Sequence, residues 1–209
     1  METNTTEGKM DTSDNTSESE KRTIVQQKKS GLQIRDILLI GILLASGAVL
    51  KFFVGSVINF GMKPNFIIAM YCLTIILIKP RLFEAAIIGL LAGAVCQFFP
   101  GQPYINIISE LAGAVAMCLL TGIPLTLLWK DKIEVPVKPI LCTFLSTLVS
   151  GFTFIGIMYL LFYTGVEING KAITPTPLAI FMAIIFGTAT INAIIVQLLY
   201  IPLKLALKK

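Results

Sequence analysis

Residues 59–80 read NFGMKPNFIIAMYCLTIILIKP. The apolar run between Lys63 and Lys79 is helical in length but short for a span. Its 14 residues from Asn65 to Ile78 cover about 21 Å at 1.5 Å per residue, less than the ~30 Å hydrocarbon core of a bilayer. The ends of such a helix must lie close to protein or to a water-filled recess. Pro64 suits a first helical turn, where its missing N–H has no intrahelical partner. Asn65 follows it into that turn. Lys63 stands just before a helix N-terminus, which favours negative groups, so the three residues make a seat for a carboxylate. The competing explanation is a lysine snorkelling to a membrane boundary.

The rest of the chain supplies the membrane. Of 209 residues, 55% are hydrophobic and 14% charged, against about 45–50% and about 25% in soluble domains. Long apolar runs carry the excess and predict an all-α integral membrane protein. Runs bounded by charges and Gly/Pro breaks predict six transmembrane helices over 35–54, 65–79, 83–99, 104–129, 138–163 and 177–205. Residues 1–30 are polar and lack an apolar face, which predicts a disordered cytoplasmic tail rather than a cleavable signal; residues 31–209 form the transmembrane domain. With the N-terminus inside, all but Lys51, Lys63 and Lys171 of the 17 Lys and Arg fall on the cytoplasmic side, so both termini are predicted to be cytoplasmic. The site is the cell membrane, crossed several times.

Composition also excludes functions. There is no histidine, which removes Ser-His catalysis, His-based zinc sites and His proton relays. Intramembrane carboxylates are not paired either, so the chain is not read as an enzyme. It carries no cofactor or metal motif. The net charge of +5 is spread over span ends and the tail, without the basic, aromatic-interleaved face of a nucleic-acid binder. Cys72, Cys96, Cys118 and Cys142 are isolated in apolar runs and read as packing residues. A G-x-x-x-x-G-K-[ST] phosphate loop is absent, so energy for any transport comes from another chain or from an ion gradient.

The polar residues on the outward side form a short set. QFFPGQPYINIISE, residues 97–110, is rich in amide and aromatic groups, with Gln97, Gln102, Tyr104 and Asn106 as its polar side chains before the acid. Asn106 and Glu110, four apart, share one helix face. Glu110 lies one or two turns into the membrane, where a carboxylate is costly and marks a functional site by default. Pairing with Lys63 is the structural alternative. Asn192 in span six needs a partner in a low-dielectric bundle, and interhelical hydrogen bonding accounts for it as well as a ligand does. Glu84, three after Arg81, reads as a local ion pair. Small residues four apart (Gly41 and Ala45; Ala85, Gly89 and Gly93; Ala112 and Ala116; Ala183 and Gly187) let helices approach closely, and one such ridge is available for an external partner.

GMKPN after span one and FPGQPYINII after span three together resemble the tryptophan-transporter (TrpP-like) family, a branch of the substrate-binding S components of energy-coupling-factor (ECF) transporters. The resemblance covers roughly residues 35–205. It implies a six-helix S component that binds substrate at the outward face and pairs with a transmembrane coupling subunit and cytoplasmic ATPase subunits. It implies tryptophan as the favoured substrate. Orientation and residue type then give Lys63 the carboxylate and Glu110 the ammonium. Asn65, Gln97, Gln102, Tyr104, Asn106 and Asn192 would line the site, and Phe98 and Phe99 would contact the ring. The docking ridge of the family's first helix corresponds to Gly41-x-x-x-Ala45, an altered form of its alanine pair. Asn65, where the family often has an acid, and Ser109-Glu110, where it often has Asp-Lys, also depart from the pattern. A self-sufficient, ion-coupled transporter of an amino acid or vitamin-like solute is the alternative function; a ligand-free membrane assembly protein is a further one.

Overall fold

The computed structural model describes residues 31–57, 64–99, 104–123, 137–167 and 177–207, with the side chains of 55–57 set aside. The tail 1–30, Lys63, Gln102, and the loops 124–136 and 168–176 lie outside the described residues. The described residues form six helices and no strand: α1 (Ile34–Val57), α2 (Ile67–Ile78), α3 (Leu82–Cys96), α4 (Ile105–Gly122), α5 (Lys138–Tyr163) and α6 (Leu178–Leu207). Each begins and ends within a few residues of the expected run, except that α4 stops at Gly122. There Ile123 turns extended, as a residue ahead of proline favours, and Pro124 follows.

Four helices, α1, α4, α5 and α6, are long and apolar enough to cross a bilayer. The apolar helices α2 and α3 are shorter, about 18 Å and 22 Å at the helical rise. Large apolar side chains such as Ile37, Ile42, Phe52, Leu91, Leu160 and Leu198 face outward from the bundle. Exposed apolar area on this scale is what lipid, not water, solvates.

α2 is the centre of the bundle. It touches each of the other helices, and every residue from Phe66 to Ile76 is buried. A helix apolar on all sides has this one stable place, enclosed by other helices. α3 and α4 run antiparallel in close contact. A Cβ on Gly89 would lie 2.8 Å from the Glu110 carbonyl oxygen, and one on Gly93 would lie 2.6 Å from Ile107 Cα. The Ala85–Gly89–Gly93 ridge is therefore spent on internal packing. By contrast, Gly41 and Gly187 have open space around them, and Ala45 and Ala183 are exposed on the same helices.

The turns are held by side chains. The expected Glu84–Arg81 ion pair is instead a helix cap: the Glu84 carboxylate accepts the Arg81 backbone N–H at 2.8 Å, where a first-turn acid satisfies a free donor. Lys79 ends α2 in the left-handed region, φ 51°, its N–H donating to Ile75 O at 2.9 Å. Lys138 Nζ donates to the Thr121 and Ile123 carbonyls, closing the end of α4 with a cation where the helix dipole favours one.

Candidate functional site

The site forms where α2 begins. Asn65 precedes the first turn of α2 rather than lying in it, and its Oδ1 accepts the Ile67 N–H at 3.3 Å. The bond caps the first N–H of the helix from one residue ahead of the N-cap, Phe66, an Asx turn of the kind asparagine forms well. The cap fixes the side chain so that Nδ2 donates to Glu110 Oε1 on α4. Glu110 is 1% exposed, and its other oxygen accepts from Ser150 Oγ on α5 at 3.4 Å. On the far side, Asn192 Nδ2 of α6 donates to the Asn65 carbonyl at 3.1 Å. Asn192 has no exposed surface, and its Oδ1 has no hydrogen-bond partner among the described residues.

Ser150 and Asn192 stand midway along α5 and α6, so α2 begins near the middle of the bundle's length, not at its rim. The short helix expected between Lys63 and Lys79 thus ends against protein. An apolar cluster of Ile105, Phe154, Ile155, Met158, Phe181 and Ile185 packs in the first turn of α4, the second half of α5 and the first half of α6.

A cation completes the cluster from α1. Lys51 is 6% exposed; its Nζ donates to Cys96 Sγ at 3.3 Å and lies 5.4 Å from the centre of the Phe99 ring. Cys96, the last residue of α3, also receives Asn65 Nδ2 at 3.5 Å. Its sulfur is a weak acceptor placed between a lysine and an amide. Tyr71 of α2, fully buried, lies beside Glu110 and Ser146, with its hydroxyl outside hydrogen-bond geometry to any described residue. α1, α2, α5 and α6 each bring a side chain with an N–H or O–H group, α4 brings the Glu110 carboxylate, and α3 brings the Cys96 thiol.

Of the residues named from the sequence, Asn65, Glu110 and Asn192 come together directly. Gln97 and Tyr104 do a different job. Gln97 Nε2 donates to Gly93 O and its Oε1 accepts the Tyr104 N–H, both at 3.1 Å, strapping the end of α3 to the start of α4. Tyr104 itself is 62% exposed and holds φ at 68°. Asn106 is partly buried one turn before Glu110 and lends its carbonyl to Ser109 Oγ at 3.2 Å. Phe98 is exposed, whereas Phe99 meets Lys51. Lys63 and Gln102 lie outside the described residues. Lys51, Cys96, Ser150 and Tyr71 were not singled out as site residues. Lys51 was legible: a lysine inside the apolar run of span one falls under the same default that marks Glu110.

Residues 33–208 match the family model for the tryptophan transporter TrpP. The chain belongs to that family. A similar protein from Clostridium acetobutylicum, described as a probable tryptophan transport protein, is 27% identical over 180 residues, covering 85% of this chain and 96% of the relative. No solved structure matches the chain. As a TrpP family member with four apolar helices of spanning length, it is a multi-pass membrane protein of transport. The match takes in all six helices, so the cluster at the start of α2 lies wholly within the TrpP region.

Proposed function

We propose that this TrpP family member is the substrate-binding membrane subunit of an ECF-type transporter that takes up tryptophan. The observation that carries the reading is the family match across residues 33–208. The buried polar cluster at the start of α2 supports it, because that cluster offers a carboxylate, amides and a cation to a small charged molecule. In this reading both termini are cytoplasmic, residues 1–30 are a polar tail, and the start of α2 opens toward the outward end of the bundle. Glu110 meets the substrate ammonium. Asn65, Asn106 and Asn192 line the site, Gln97, Gln102 and Tyr104 shape its rim, and a cation takes the carboxylate. The sequence offers two cations toward that end, Lys63 and Lys51. The apolar cluster around Ile105, Phe154 and Phe181 provides a wall for the indole ring, as apolar lining with few polar anchors suits a small-molecule site.

Uptake also needs a source of energy. With no phosphate loop of its own, the subunit works with a transmembrane coupling subunit and cytoplasmic ATPase subunits. The exposed Gly41 and Ala45 on α1, clear of internal contacts, supply a docking face. Calorimetric titration of the purified protein with L-tryptophan, tyrosine, phenylalanine and thiamine tests the binding role. Tight binding selective for tryptophan supports it, and folded protein that binds none of them overturns it. Tryptophan uptake that persists in cells lacking the ATPase subunits would assign the chain to self-sufficient, ion-coupled transport instead.

A further inference from the structure

Lys51 is a buried cation with no anion in contact among the described residues. An ammonium taken from water loses several kcal/mol of solvation and regains it only through excellent partners. Among the described residues Lys51 reaches only a neutral thiol, Cys96 Sγ at 3.3 Å, and the face of Phe99. Glu110 belongs to the same cluster through Asn65 Nδ2, but its oxygens are engaged by Asn65 and Ser150. A sulfur is too weak an acceptor to replace a carboxylate, and two of the three ammonium protons are left for others.

A second unsatisfied group belongs to the same cluster, tied to it through Asn65. Asn192 Oδ1 is a fully buried acceptor with no described donor, while its Nδ2 is fixed on the Asn65 carbonyl. The unmet demands are complementary: Lys51 requires an anion and Asn192 requires an N–H donor. Between them stands Asn65, whose Nδ2 reaches Cys96 Sγ beside Lys51 and whose carbonyl accepts Asn192 Nδ2. It lies just ahead of α2, a helix of 12 residues whose N-terminal N–H groups also favour an anion.

We propose that Lys51 and Asn192 are the paired polar anchors of the substrate, with Lys51 taking a carboxylate and Asn192 Oδ1 an ammonium beside Glu110, so that the site selects a free zwitterionic α-amino acid. This rests on the substrate-binding role argued above. It assigns the carboxylate to Lys51 of α1 in preference to Lys63. On binding, the Lys51 ammonium exchanges the Cys96 thiol for the substrate carboxylate, and the cation gains its anion without moving to another element.

The test is titration of the wild type, Lys51→Met and Lys51→Gln with L-tryptophan, L-tryptophan amide and tryptamine, each variant checked for folding by thermal unfolding. The amide keeps the ammonium but carries no negative charge; tryptamine lacks the carboxyl group altogether. The wild type should favour tryptophan over both analogues by at least about tenfold, the range of one charged hydrogen bond. Lys51→Met should lose that preference and bind all three equally weakly; Lys51→Gln reads the same way should the methionine variant fail to fold. Asn192→Leu should weaken tryptophan and tryptamine alike, because both carry the ammonium. Equal binding of tryptophan and its amide by the wild type overturns the proposal, as does a preference that survives in the folded Lys51 variants. Wild-type protein that binds no tryptophan defeats the substrate role itself, a result distinct from tight binding that ignores Lys51.

Discussion

Asn65, just ahead of α2, is joined side chain to side chain to Glu110 of α4, and its other amide atom accepts the N–H of Ile67, the first residue of α2. One side chain therefore sets both where α2 starts and how the carboxylate of α4 is held. The bond makes the start of a helix and the chemistry of a site a single structural unit. Asn192 extends that unit to α6 through the Asn65 carbonyl.

Asn65→Ala should consequently cost more than an ordinary surface change. It removes the cap on Ile67 and leaves a buried carboxylate oxygen without a donor, together worth about 1–3 kcal/mol. The thermal midpoint of the purified protein should fall by several degrees. Asn65→Asp should be worse than alanine, since it sets a second acid against Glu110. A midpoint unchanged in both variants would show that the bond contributes nothing to stability.

Glu110→Gln keeps the shape and an acceptor but removes the charge. Binding of tryptophan should weaken by about 10–100-fold, the range for a hydrogen bond to a charged group, while the protein stays folded. Calorimetry on the variant reads this directly. Affinity equal to that of the wild type would take Glu110 out of the site.

Gly89→Leu addresses packing alone. Its side chain would drive into the Glu110 carbonyl and the Leu111 Cα, which are backbone and cannot swing away. Overpacking at such a contact costs about 1–3 kcal/mol or more. The variant should unfold at lower temperature, with binding impaired through displacement of α4. Full stability would mean that α3 and α4 are free to separate.

Gly41→Leu with Ala45→Leu should behave in the opposite way. Gly41 has open space around it, and Ala45 is exposed, so folding and tryptophan affinity of the isolated subunit should match the wild type. Uptake in cells that contain the ATPase and coupling subunits should be lost. Normal uptake by the double variant would move the docking face to another surface, the open Ala183–Gly187 ridge of α6 being the next to examine.

Much of this was readable from the order of residues. Apolar runs fixed by charges located every helix, because the length of a run and its breaks act locally. Glu110 and Asn192 announced themselves as polar groups in apolar surroundings. What could not be read was pairing. Gln97 carries the same amide as Asn65, yet one braces a turn and the other holds the carboxylate, a difference set by which helix passes nearby. Cys96 looked like filler for the same reason: a thiol in an apolar run is a small hydrophobe until a lysine is packed against it. Lys51 enters the sequence reading only as one of three outward cations; its burial against Cys96 and Phe99 is set by α3, far away in the chain.

The central position of α2 has a consequence for how the protein meets its bilayer. Long helices exposed to lipid tilt or shift when the hydrocarbon layer thickens or thins. From Phe66 to Ile76, α2 offers lipid no surface to act on; its depth is set by the helices that enclose it. The seat at its start is thus mounted on the one element insulated from the membrane's dimensions. Affinity measured in nanodiscs of short-chain and long-chain lipids should be the same, even where the outer helices adjust.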